Sequence, residues 1–162
     1  MDGRITYQVS DNSISGSVGA MLLDTGNLVL WDESSEAVLW QSFDDPSDTF
    51  LPGVKLGYSR KTGKLWALAS WNSSTDPSPG DFSLRMDSRS PDEVFILKGN
   101  MMYWTTGRWD IDRQAFSLIP EMMLSTSFNF SFINNRNESY FTYSPTSLVG
   151  NATTRFVMDL SG

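Results

Sequence analysis

Ala20-Met21-Leu22-Leu23-Asp24-Thr25-Gly26-Asn27-Leu28-Val29-Leu30-Trp31 is the stretch whose reading decides the fold. An apolar run enters Asp24–Asn27 and a second apolar run leaves it. Apolar, turn, apolar at this spacing predicts a β-hairpin. Gly26 takes a left-handed backbone at no steric cost, and Asp24 and Asn27 are able to bond their own backbone. Leu28-Val29-Leu30-Trp31 is rich in branched and aromatic side chains, which suit a pleated, half-buried surface.

Working outward, the same two-residue period recurs. Asp81 to Asp87 alternates without error, with Phe82, Leu84 and Met86 facing one way. Thr126 to Phe132 does so with Phe128, Phe130 and Phe132, and Thr154 to Leu160 with Phe156, Met158 and Leu160. Glu93–Leu97 and Met101–Thr105 flank Lys98-Gly99-Asn100 as a second hairpin. Further strands are expected at Arg4–Val9, Val38–Phe43, Lys64–Trp71 and Tyr140–Tyr143, the last aromatic enough to be buried on both faces. Turn-rich Asn72 to Gly80 is expected to be a loop. So is Asp44 to Gly53, with its two prolines and three aspartates, and this is the natural domain boundary. No window shows sustained helical periodicity. The expected class is all-β, with turn signals at the spacing of sandwiches, barrels and prisms.

Composition bounds the function. The 162 residues are 40% hydrophobic and 13% aromatic, with six Trp and ten Phe, enough for one domain with a core or a piece of one plus a second. A net charge of −7 argues against nucleic-acid binding, because no broad face would neutralise phosphates. The longest apolar run, Val18 to Leu23, is far short of a membrane span, so no membrane contact by this chain is expected. The sequence contains no Cys, which removes disulfides, thiolate metal sites and a thiol nucleophile. Met1-Asp2-Gly3-Arg4-Ile5 lacks the basic start and apolar core of a signal peptide.

Catalysis finds little support. The sequence has no His, which excludes a Ser-His-Asp triad, a His-ligated zinc and a His base. Gly57-Tyr58-Ser59-Arg60-Lys61-Thr62-Gly63-Lys64 is one residue too long for a phosphate loop, and Leu65 stands where a hydroxyl should hold magnesium. An exposed basic turn explains it. No kinase motif is present. Asp44, Asp45 and Asp48 offer oxygen ligands for calcium, but they equally read as residues that set and cap turns around Pro46. No metal or cofactor is expected.

A family resemblance rests on three stretches. Asp24, Asn27, Val29 and Trp31 resemble the later positions of the bulb-type (monocot mannose-binding) lectin pattern Gln-x-Asp-x-Asn-x-Val-x-Tyr. One residue is inserted between the Asp and the Asn, Leu22 or Leu23 stands where the Gln should be, and Trp31 replaces Tyr. Trp40-Gln41-Ser42-Phe43-Asp44-x-Pro46-x-Asp48-Thr49-x-Leu51-Pro52-Gly53 is similar to the segment that follows in plant S-domain receptor-like kinases, and is the most specific match. Tyr103-Trp104-x-x-Gly107-Arg108-Trp109 and Phe116 to Met122 resemble the opening of the S-locus glycoprotein region, with Arg108 where the family has Pro and Asp110-Ile111 where it has Asn-Gly.

The resemblance implies a β-prism II partial domain over 1–43, a second lectin-like β region over 44–102, and the start of an S-locus glycoprotein domain over 103–162. Without the two earlier lectin repeats, the first segment is expected to leave an apolar face exposed. The implied setting is the extracellular side of a plasma-membrane receptor, with ligand or partner recognition of the pollen-recognition type and the kinase elsewhere. The implied partners are a peptide, small-molecule or glycan ligand and related ectodomains in homo- or hetero-dimers. The alternatives are a mannose-binding lectin using Asp24, Asn27, Val29 and Trp31, or a truncated, non-functional gene product. In a sugar site the missing Gln would cost on the order of 1–3 kcal/mol per unmatched buried group, and Asp24–Asn27 reads better as a plain hairpin turn. Four Asn-x-Ser/Thr sequons, at Asn72, Asn129, Asn137 and Asn151, are candidate glycan acceptors, with Asn129 on the polar face of its strand and the rest in loops.

Overall fold

The computed structural model describes residues 16–147 and 154–162. The expected strand at Arg4–Val9 and the sequon at Asn151 lie outside the described residues. The chain is all-β, with no α-helix among the described residues, and divides into two compact units, Met1–Asp44 and Asp45–Gly162.

In the first unit β1 (Val18–Leu22), β2 (Leu28–Asp32) and β3 (Val38–Gln41) form an antiparallel meander that ends in a 3₁₀ turn, Ser42–Asp44. The expected strand at Val38–Phe43 therefore stops at Gln41. The β1–β2 hairpin closes as its residues dictate. Gly26 sits at φ 86°, its N–H donates to the Leu23 carbonyl at 2.9 Å, and the Leu23 N–H donates to the Asn27 carbonyl at 2.9 Å. This is a three-residue loop with a glycine bulge, whose twist matches the strands it joins. At the next turn Asp32 accepts the Ser34 hydroxyl and the Ser34 and Ser35 amides, which holds its carboxyl below the usual range.

Strand periodicity gives this meander two faces. Val18, Ala20 and Leu22 share one with Leu28, Leu30 and Trp40, and Gly19 and Met21 share the other with Val29, Trp31 and Gln41. Val18, Met21, Leu22, Leu23, Leu28, Val38 and Leu39 are all exposed, Leu22 at 68%. The unit thus presents the uncovered apolar surface expected of it.

The second unit contains β4 (Thr49–Phe50), β5 (Leu56–Ser59), β6 (Leu65–Trp66), β7 (Leu68–Ser73), β8 (Asp76–Asp87), β9 (Ser90–Lys98), β10 (Met101–Asp110), β11 (Ala115–Phe116), β12 (Phe128–Asn134), β13 (Glu138–Pro145) and β14 (Phe156–Val157), with a 3₁₀ turn at Pro120–Leu124. Five strands make one sheet in the order β11-β10-β9-β8-β7, four make another in the order β12-β13-β5-β6, and β14 pairs with β4. Aromatic rings join the two larger sheets. Trp109 stacks on Phe132 at 5.7 Å between centroids, and Phe116 meets Phe141 at 5.1 Å. Tyr143 is fully buried, and its hydroxyl donates to the Phe50 carbonyl at 2.9 Å.

Several expectations need correction, each for a local reason. Asn72–Gly80 turns only at Ser74-Thr75, and β8 already starts at Asp76. Pro77 and Pro79 are tolerated there because that end of β8 pairs with β7 alone, while β9 joins only from Phe82. Lys64–Trp71 is two strands in different sheets, broken at Ala67. Gly57-Tyr58-Ser59 is strand, paired to β13 through Tyr140↔Gly57 and Ser139↔Tyr58, so the residues that resembled a phosphate loop are sheet followed by a tight turn. Within Tyr140–Tyr143 only Phe141 and Tyr143 are buried, while Tyr140 on the opposite face is half-exposed. In the last segment Met158 is buried but Phe156 and Leu160 are exposed.

Candidate functional site

Two places in the chain gather side chains suited to binding, one in each unit. In the first unit the period of β2 puts Asn27, Val29 and Trp31 on one face, while Asp24 stands exposed in the loop. The Trp31 ring lies over Gly19, its cross-strand partner, so closely that a Cβ there would meet the ring at 2.3 Å. Val29 pairs with Met21 on one side and Gln41 on the other.

Asn27 is only 7% exposed, and its amide is heavily engaged. Nδ2 donates to Gln41 Oε1 at 2.9 Å, while Oδ1 accepts from Ser42 Oγ at 3.1 Å and from the Phe43 amide at 3.2 Å. Ser42 Oγ in turn accepts the Leu28 amide at 2.9 Å. Asn27 therefore fastens the β1–β2 hairpin to the turn after β3. Both acceptor positions of its oxygen are filled, and one N–H remains. A glutamine does stand beside this asparagine, but it is Gln41, fourteen residues later in the chain. No local pattern points to it, because only the β2–β3 register brings it there.

In the second unit a cavity of about 390 Å³ opens between the two larger sheets. Buried Leu56, Leu68, Val94 and Phe116 form its depth, and exposed Trp104, Phe156 and Val157 stand at its rim. Leu84 and Ile96, cross-strand partners, face it from neighbouring strands. Thr106 carries the one hydroxyl in the lining. That oxygen accepts the Val94 amide at 3.0 Å and lies 2.8 Å from the Gly107 carbonyl, to which it donates. Among the described residues the walls thus offer mainly dispersion and apolar burial, with the Trp104 indole N–H at the rim as a further polar group.

The acidic residues around Pro46 are spent locally. Asp45 pairs with Lys64 at 3.2 Å, and Asp48 Oδ1 accepts the hydroxyls of Ser47 and Thr49 at 3.2 and 2.9 Å. Asp44 lies in the 3₁₀ turn that ends the first unit. Among the described residues no three His, Cys, Asp or Glu side chains are placed to hold a metal ion. No helix among them is long and apolar enough to cross a membrane. Of the sequon asparagines, Asn72, Asn129 and Asn137 are exposed.

Comparison with known proteins shows what the chain is similar to. The model of the D-mannose binding lectin family matches residues 2–72, which runs through the first unit and on to β7. Three G-type lectin S-receptor-like serine/threonine-protein kinases of Arabidopsis thaliana are 46%, 44% and 42% identical to it, over 94%, 85% and 85% of this chain. The chain is a relative of the bulb-type lectin receptor-like kinases over most of its own length. It spans 18%, 16% and 16% of the length of those three relatives. The part of the chain that a family model covers is lectin.

Proposed function

We propose that this chain is an extracellular recognition module of a plant receptor-like kinase or S-locus-type glycoprotein, facing outward from the plasma membrane and binding rather than catalysing. The lectin-family match and the kinase relatives support that setting. The observation that carries the binding mode is the cavity of the second unit. Protein interiors are close-packed, with few voids larger than a water molecule, so an apolar opening of this size has room for an apolar guest. Its ligand is accordingly a small molecule whose inserted part is apolar, because the described lining is almost wholly apolar. Residues 103–162, read as the start of the S-locus region, contribute much of that lining. Met101, Met102 and Tyr103, exposed side by side at the start of β10, suit a peptide or a related ectodomain as a second partner.

The test uses the full chain and a neutral fluorescent apolar probe, N-phenyl-1-naphthylamine. Saturable binding is expected, abolished by Ile96→Trp in a variant whose cooperative melt is retained. Binding that is absent, or that survives Ile96→Trp, would sink this reading.

A mannose-binding lectin is the second reading, favoured by Asn27, Val29 and Trp31 sharing a face with Gln41 beside them. Against it stands the engagement of Asn27 within the fold, since a sugar hydroxyl needs polar groups that are free once water is removed. A glycan array with Asp24→Ala and Asn27→Ala beside the parent separates the two. Mannose binding lost in Asp24→Ala, a fully exposed position, would favour the lectin.

A further inference from the structure

Transfer of an N-glycan needs both the asparagine amide and the hydroxyl two residues on, presented together as one accessible, pliable segment. Three sequons fall within the described residues, and they differ in the second requirement. Ser74, which follows Asn72, is exposed at the β7–β8 turn, and Ser131, which follows Asn129, is exposed on β12. Ser139, which follows Asn137, has 0% of its surface accessible.

Ser139 is held from several directions. It lies on β13, between Asn134 of β12 and Tyr58 of β5, and its Oγ donates to the Pro91 carbonyl at 2.9 Å. The Asn137 backbone is equally fixed. Its carbonyl accepts the Arg60 amide at 2.7 Å, and its own N–H donates to Asn135 Oδ1 at 2.8 Å. The Arg60 guanidinium clamps the same turn through the Glu138 carbonyl at 2.9 Å, Asn134 Oδ1 at 2.8 Å and the Asn135 carbonyl. Presenting the Ser139 hydroxyl to an enzyme requires β13 to leave β5, which dismantles the four-stranded sheet. The Asn137 side chain itself is exposed at the β12–β13 turn, so a glycan already in place fits the folded chain.

We propose that Asn137 is a glycan acceptor only before β13 docks against β5, so that its occupancy records whether transfer outran the folding of this sheet. The inference rests on the reading that the chain passes through the secretory pathway. In the transfer, Asn137 Nδ2 forms a bond to the anomeric carbon of a dolichyl-diphosphate-linked oligosaccharide. The bond from that carbon to the diphosphate oxygen breaks, and the amide proton leaves with the dolichyl diphosphate. β5 is synthesised some eighty residues ahead of β13, so docking can follow closely on the emergence of the acceptor.

The experiment has two arms on the full chain. In the first, the chain carries an added cleavable signal sequence and is translated with microsomes. In the second, the purified, folded, unglycosylated chain is given to solubilised oligosaccharyltransferase with lipid-linked oligosaccharide. Site occupancy is read by mass spectrometry. Asn137 is expected to be occupied in the first arm, and at least tenfold less than Asn72 in the second. Arg60→Ala, which frees the turn, should raise Asn137 occupancy in the second arm. Equal acceptance by Asn137 and Asn72 in the folded chain, or an empty Asn137 in the first arm, would overturn the proposal. Because the added signal sequence enforces entry, both outcomes are independent of the native route. A native chain without any glycan in plant tissue would instead count against the secretory reading.

Discussion

Replacing Asn27 with alanine is expected to destabilise the first unit by about 3 kcal/mol. The side chain makes three hydrogen bonds, to Gln41, Ser42 and the Phe43 amide, from a site only 7% exposed. Each is worth about 1 kcal/mol net, and the Phe43 N–H is left without its acceptor, which pushes the total to the upper side. Asn27→Asp keeps both acceptor roles. Gln41 is then able to turn its amide and donate to the carboxylate, so the expected cost is below about 1 kcal/mol. With two compact units a single melting midpoint is not a safe readout. Native-state hydrogen exchange over residues 23–43, followed by mass spectrometry, reports the local opening directly. A loss of about 3 kcal/mol speeds exchange there by roughly a hundredfold, at 1.4 kcal/mol per tenfold. If Asn27→Ala exchanges within threefold of the parent, or if Asn27→Asp is as damaging as Asn27→Ala, the structural role argued for Asn27 is wrong. A variant with intact exchange and lost mannose binding would return the residue to the sugar site.

Tyr143 titrates far above its ordinary value, pushed up to about 12 by burial. Its neutral form is the one the fold accepts, so stability is fully present below pH 10 and falls as pH rises from 10 through 12. Tyr143→Phe should flatten that alkaline fall in pH-dependent urea melts, and should cost about 1–2 kcal/mol at neutral pH by stranding the Phe50 carbonyl. Gly107 sits at φ 65°, where an added Cβ would lie 2.2 Å from Ser117 Oγ and 2.9 Å from Leu118 Cγ. Gly107→Ala is therefore expected to lose more than about 1 kcal/mol by thermal melt, and an unchanged melt would mean that the loop gives way freely. Asp87 is held at about 2 by the Arg89 side chain and amide. Arg89→Ala should let the Asp87 carboxyl resonance titrate closer to 3.8, with almost no change in stability because the pair is solvent-exposed.

Which parts of this protein were legible in one dimension follows from what each part depends on. The β1–β2 hairpin depends on Gly26 and on residues adjacent to it, so its turn and both strands could be read directly. The same holds for the alternation of Phe82, Leu84 and Met86, although Leu84 proved to line a cavity rather than fill a core. β5 was missed because Leu56–Ser59 is too short and too polar to announce itself. It is strand because β13, some eighty residues later, offers it a partner.

The candidate sites divide the same way. Sequence alone determined the all-β class and the absence of thiol and imidazole chemistry, because these rest on residue type and on a period of two. Tertiary structure decided that the glutamine beside Asn27 is Gln41 and that the amide of Asn27 is consumed in holding two turns together. It decided too that an apolar cavity opens between the two larger sheets, and that, among the described residues, the hydroxyl of one sequon is sealed while those of two others are open. The physical reason is that conformational preference acts over a few neighbouring residues, whereas register, burial and the satisfaction of polar groups are settled between segments far apart in the chain.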